Sequence, residues 1–193
     1  MIHHITGKLV EKSPIHAVIE TAGVGYYINI SLNTFSKLGS SEACKLFTHL
    51  SVKEDSHTLF GFFEVEEREV FRKLISVSGV GASTARVMLS SLTAKEVAVA
   101  ITSSNVSALK AIKGIGAKTA ERIIIDLKDK LGGELGYETE VSTATNSNHQ
   151  EAISALLALG FTKGPVEKTI QKILAKQQDL SVEGLIKEAL KLL

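Results

Sequence analysis

One stretch of this 193-residue chain occurs twice. Leu74-Ile75-Ser76-Val77-Ser78-Gly79-Val80-Gly81-Ala82-Ser83-Thr84-Ala85-Arg86 returns 35 residues later as Leu109-Lys110-Ala111-Ile112-Lys113-Gly114-Ile115-Gly116-Ala117-Lys118-Thr119-Ala120-Glu121. Each copy reads as the end of one helix, a Gly-aliphatic-Gly turn, and a second helix starting at Ala82 or Ala117. The glycines permit a tight turn and the close approach of another backbone. Val80 and Ile115 pin the turn into a core, and Ala85 and Ala120 let the paired helices pack closely. The second helix of each pair presents unpaired N–H groups and the positive end of its dipole, an arrangement that suits a phosphate.

The repeat resembles the tandem helix-hairpin-helix motif. The residues expected to face a sugar-phosphate backbone are Gly79, Gly81, Ser83 and Thr84 in the first copy, and Lys113, Gly114, Gly116, Lys118 and Thr119 in the second. Contacts of this kind hold the backbone and read no base sequence. The first copy has Ser83 where the second has Lys118, so the two hairpins are expected to grip unequally. A plain helical hairpin in a bundle is the bland alternative, and the coincidence of both glycines and the Thr-Ala pair in two copies disfavours it.

The flanking segments differ in period. Ile2–Glu11, Ile15–Thr21, Val24–Ile30, Lys45–Lys53 and Thr58–Phe63 are short and β-branched or aromatic, with turn signals between them. Asn33–Lys37 has the spacing of a short helical turn. Five strands in so few residues suggest a small closed or partly closed barrel of OB-like type, which removes sheet edges. Helical periodicity runs from Glu66 to Leu131, and Thr93 with Glu96 forms a capping box. Residues 137–148, YETEVSTATNSN, lack an apolar face and read as a linker. Three helices then follow, at about 148–159, 164–176 and 181–192, with Asn148 and Ser181 as N-caps. The expected organisation is a multidomain α+β chain. An OB-like antiparallel β-barrel spans 1–64 and an all-α tandem helix-hairpin-helix domain spans 65–136. A linker at 137–147 leads to a small three-helix bundle at 148–193.

Charge follows this division. Residues 65–136 carry 11 Lys/Arg against 8 Asp/Glu, whereas residues 1–64 carry 5 against 6 and residues 137–193 carry 6 against 7. A modest basic excess therefore sits on the hairpin segment. Cys44 is the single cysteine, and no Cys/His spacing suits zinc. No cofactor and no metal is expected. With no apolar run of about 20 residues and no apolar leader, the chain reads as cytoplasmic.

The order of barrel, twin hairpin, linker and tail resembles the RuvA family of Holliday-junction-binding proteins over the whole chain. The segments MIHHITGKL, GVGYYINI, KEDSHTLFGF, GVG, GIGAKTAERII and ALLALGF carry the resemblance. It implies a homotetramer that holds an open four-way junction, and one tetramer or an octamer of two tetramers face to face both fit. It further implies that the tail docks onto RuvB, a hexameric ATPase, in a branch-migration complex that RuvC resolvase can join.

The resemblance also gives Glu54 and Asp55 a role as an acidic pin that keeps strands apart at the crossover. Without it they are a solvated hairpin turn. In the tail, Leu156, Leu159 and Phe161, with Ile186 and Leu190 as weaker candidates, are either a RuvB-binding patch or the core of a small bundle.

No catalytic residue is expected. Gly-Ile-Gly-Ala-Lys-Thr lacks P-loop spacing, and no two-metal acidic cluster is present. A glycosylase of the hairpin class would use Lys118 as its nucleophile and an Asp in the loop after that helix. Gly132-Gly133-Glu134-Leu135-Gly136 offers none there, and Asp126 and Asp129 come too early. A protein-binding adaptor with incidental DNA affinity is the third reading.

Overall fold

The computed structural model describes residues 2–39, 42–134, 145–174 and 180–193. Strands β1 (His4–Lys12), β2 (His16–Thr21), β3 (Val24–Ile30), β4 (Ala43–Val52) and β5 (His57–Phe62) close into a barrel in the order β1-β2-β3-β5-β4. All neighbours are antiparallel except β3 and β5, which run parallel through Asn29↔Phe60 and Ile30↔Gly61. The barrel is the expected OB-like one, mainly antiparallel, with this one parallel pair in it. A parallel neighbour needs a crossover rather than a hairpin, and helix α1 (Leu32–Lys37) with β4 supplies it. Alternate residues Ile5, Ala17, Ile19, Ile28, Ile30, Leu46 and Leu59 fill the interior.

Five helices follow: α2 (Val65–Ile75), α3 (Ala82–Ser91), α4 (Ala94–Thr102), α5 (Val106–Lys110) and α6 (Ala117–Glu134). The expected capping box opens α4: Thr93 Oγ1 accepts from Glu96 N at 3.2 Å, and Glu96 Oε2 accepts from Thr93 N at 2.8 Å. Helix α6 runs through Gly132 and Gly133 to Glu134, beyond the expected end at Leu131. Glycine costs a helix only about 1 kcal/mol, and Leu131, fully buried, anchors the last turn.

The barrel and α2–α6 form one compact unit, so the boundary expected at residue 64 falls inside it. Long-range bonds explain why. Glu67, buried on α2, accepts from Ser31 Oγ and from Thr34 Oγ1, the latter at 2.8 Å. Arg68 Nη1 donates to His3 O at 3.0 Å. Phe71 packs its ring against Phe60, Phe62 and His49. Asn33 Nδ2 donates to the carbonyls of Leu89 and Leu92 at the end of α3.

The second unit holds α7 (Thr145–Ala158), α8 (Lys163–Leu174) and α9 (Val182–Ala189). Ser181 caps α9 as expected, accepting from Gly184 N at 3.2 Å. Helix α7 begins at Thr145, so Asn148 lies within it and is not its cap. A first turn needs no apolar face, which is why a polar run hid the start. The rest of the expected linker, 137–144, lies outside the described residues.

Candidate nucleic-acid interface

The two hairpins are built alike. Val80 N donates to Val77 O at 3.0 Å, and Ile115 N donates to Ile112 O at 3.1 Å. The third residue of each turn is Gly79 (φ +93°) or Gly114 (φ +92°), a left-handed conformation that side chains disfavour. The aliphatic residue between the glycines turns inward. Val80 is 4% exposed and Ile115 is 6% exposed, and both belong to one core with Leu74, Leu109, Ala85 and Ala120.

The outer glycines play a different part. Gly81 starts α3 with extended backbone (φ −83°, ψ 165°), and no side chain caps the helix. Its carbonyl accepts from Ala85 N at 2.9 Å, as that of Gly116 accepts from Ala120 N at 2.9 Å. The first-turn amides of α3 are therefore left to an outside acceptor, and Gly116 before α6 has no side chain with which to cap that helix. A Cβ built on Gly81 or on Gly116 meets nothing within 4 Å. These positions leave space above the amides, and space of that kind admits a phosphate.

Gly79, Gly81, Ser83, Lys113, Gly114, Gly116 and Lys118 are all exposed, and Thr84 and Thr119 are half-buried. Asp126 and Asp129, the carboxylates weighed for a glycosylase, sit inside α6, where Asp126 lies 3.8 Å from Arg122. Among the described residues no helix is long and apolar enough to cross a membrane.

Glu54 and Asp55 form the tip between β4 and β5. Lys53 N donates to Ser56 O at 2.8 Å, which closes a two-residue hairpin loop. Both carboxylates are exposed, and neither is in an ion pair among the described residues.

The tail corrects one expected contact. Leu156 has no exposed surface; it packs among Ala152, Val166, Ile170, Ile173, Leu185 and Ala189. A side chain enclosed on all sides offers a partner nothing unless the bundle opens. Leu159 is 63% exposed and Leu190 is 46% exposed, whereas Phe161 and Ile186 are half-buried against the same core. Phe161 has a local duty. Its N–H donates to Leu156 O at 3.2 Å, and Gly160 N donates to Leu157 O at 3.0 Å, with Gly160 at φ +97°. This is a Schellman ending, in which the residue after glycine packs back on the helix.

Sequence reasoning missed Arg86. Its Nη1 donates to Ile15 O at 3.1 Å and to Asn29 Oδ1 at 3.0 Å, so it joins the first hairpin to the barrel. The one signal was a break in the repeat, because the matching residue is Glu121.

Comparison with known proteins agrees with this geometry. Residues 1–61 match the RuvA N terminal domain, residues 71–129 the SAM-like helix-hairpin-helix tandem, and residues 147–193 the RuvA C-terminal domain. The chain is 56% identical over 191 residues to the Holliday junction branch migration complex subunit RuvA of Christiangramia forsetii. It is 52% identical over 191 residues to that of Flavobacterium psychrophilum, and each alignment covers 99% of both chains. The subunit of Bacteroides thetaiotaomicron is 44% identical over 199 residues, again with 99% of each chain covered. Identity at this level along the full length, with all three segments in order, means that the chain belongs to the RuvA family.

Proposed function

We propose that this chain binds four-way (Holliday) junction DNA by its shape, without base specificity. It acts as a homotetramer that holds the junction open and recruits the RuvB ATPase for branch migration in recombination and repair. The observation that carries the reading is the twin hairpin: two buried aliphatic pins, two exposed glycine turns and two sets of first-turn amides behind a glycine, in a family whose relatives are named for the junction.

The parts divide the work. Hairpin amides, with Ser83, Thr84, Lys113, Lys118 and Thr119, hold phosphates of the arms. The barrel brings the subunits together and carries Glu54 and Asp55 at the junction centre. There, two carboxylates from each of four chains repel converging strands within a Debye length of about 8 Å. The tail meets RuvB through Leu159 and Leu190, with Phe161 and Ile186 at the edge of that surface. ATP hydrolysis belongs to RuvB; this chain recognises and clamps.

A band-shift with four-way and linear duplex DNA of equal length, paired with solution mass, tests the proposal. Strong preference for the junction and a mass of four or eight chains per junction are expected. Equal, weak binding to both DNAs by a monomer overturns it.

A further inference from the structure

The two hairpins differ in charge. Lys118 is the second residue of α6, and its counterpart in α3 is Ser83. One turn further along, the inequality reverses, with Arg86 facing Glu121 in the repeat. Beside the first hairpin lies a cleft between the barrel and α3. Asn29, Ser51, Lys53 and Thr58 line it from the barrel, and Ser83 and Arg86 line it from the helix. Two cations from different layers of the fold meet there, with hydroxyl and amide groups around them, and no carboxylate lines the cleft.

Arg86 is positioned without being neutralised. Both acceptors of its Nη1, Ile15 O and Asn29 Oδ1, are uncharged. A guanidinium has five N–H donors, so Nε and Nη2 keep three for a ligand. Lys53 and Arg86 are in no ion pair among the described residues. Two like charges facing one cleft repel each other, and an anion between them reverses the sign of the interaction.

We propose that this cleft seats a DNA backbone phosphate, with Lys53 and Arg86 supplying at the first hairpin the charge that Lys118 supplies at the second. The inference rests on the junction-binding reading and adds a consequence to it. Lys53 directly precedes Glu54 and Asp55, so the strand seated in the cleft is the one the acidic tip acts upon.

The test uses the full-length chain and a labelled four-way junction, with affinity measured across salt concentrations. Arg86→Gln removes the charge and keeps amide hydrogens for Ile15 O. It is expected to lower the log–log salt slope by about 0.9 for each phosphate no longer neutralised. The fall in affinity between 50 and 200 mM salt then shrinks by about 3.5-fold per phosphate. Lys53→Gln is expected to do the same, and Ser83→Lys placed on Arg86→Gln to restore the slope. Lys118→Ala serves as the control at the second hairpin.

An unchanged slope in Arg86→Gln beside a reduced slope in Lys118→Ala overturns the seat and leaves the parent reading standing. An unchanged slope in both overturns the seat and removes Lys118 from the phosphate contacts, while the parent reading stands or falls separately on junction preference in the band-shift. Weaker binding at unchanged slope in Arg86→Gln makes Arg86 a structural joint only and also overturns the seat. Excess inorganic phosphate at matched ionic strength separates the two phosphate sources. Displacement of the junction beyond the chloride control assigns the cleft to the free ion instead.

Discussion

Gly81→Ala and Gly79→Ala sit two residues apart in one turn and are expected to fail in opposite ways. Gly79 has φ +93°, where an L side chain costs about 1–2 kcal/mol. Its substitution is expected to lower the melting temperature by roughly 3–8 °C. Gly81 has φ −83° and open space around its missing Cβ. Alanine is a poorer N-cap than glycine by about 0.5–1 kcal/mol. Removing glycine's freedom from the unfolded chain returns about 0.4–1 kcal/mol. These terms offset, so the folded state of Gly81→Ala is expected to stay within about 0.5 kcal/mol of the parent.

DNA binding separates the two variants. The methyl group of Gly81→Ala projects into the space a phosphate needs to reach the α3 amides. Removing one charge-assisted hydrogen bond costs about 1.5–3 kcal/mol, or roughly 10- to 100-fold in affinity. Thermal unfolding and fluorescence anisotropy on a four-way junction measure both quantities. A stable Gly81→Ala chain with parental junction affinity would refute the idea that hairpin amides hold phosphate. So would parallel declines of stability and affinity, because binding would then report only on folding.

Four further outcomes are expected. Glu54→Gln with Asp55→Asn should tighten binding to linear duplex and narrow the preference for junctions in a band-shift; an unchanged preference counts against the acidic tip. Leu159→Ser should leave thermal stability within about 0.5 kcal/mol and weaken stimulation of RuvB ATP hydrolysis. Leu156→Ala should cost about 2–5 kcal/mol by opening the tail's core, and full stimulation by Leu159→Ser removes that residue from the docking surface. Burial holds the Glu67 carboxyl above its ordinary value of 4.5, despite hydrogen bonds from Ser31 and Thr34 that pull it down. The folded chain therefore keeps a proton that the unfolded chain releases. This contribution to stability is full below pH 4.5 and declines as pH rises through the raised folded value. Glu67→Gln should flatten that decline in urea unfolding followed from pH 4.5 upward, and a parallel profile contradicts it.

What the sequence disclosed was local. Thr93 and Glu96 are three residues apart, and Ser181 caps an amide three residues on. The glycine turns announce themselves because the residues that define each one are consecutive. What stayed hidden depended on distance along the chain or on which face meets a core. Arg86 reaches Asn29 across 57 residues, and Thr34 reaches Glu67 across 33. Leu156 and Leu159 lie in one apolar run, and only the packing of α8 and α9 decides that the first is enclosed and the second is not. The start of α7 at Thr145 was illegible for another reason: Thr, Asn and Ser resist a helical reading by propensity.

The hidden joint matters for the proposed function. A protein that reads base edges can tolerate looseness between its contacts, because each contact carries its own information. A reader of DNA shape has only phosphates, which are alike, and must discriminate by the separations at which it holds them. Those separations are fixed only if the barrel with its acidic tip and the hairpins with their amides move as one body. Glu67 on Ser31 and Thr34, Arg68 on His3 O, Asn33 on the end of α3, and Arg86 on Ile15 O and Asn29 tie the layers at four places. Loosening this joint, as Glu67→Ala would by taking the shared acceptor from the Ser31 and Thr34 hydroxyls, should therefore cost junction preference more than it costs affinity for plain duplex. The hairpins themselves would be intact, and only their distance from the acidic tip would vary.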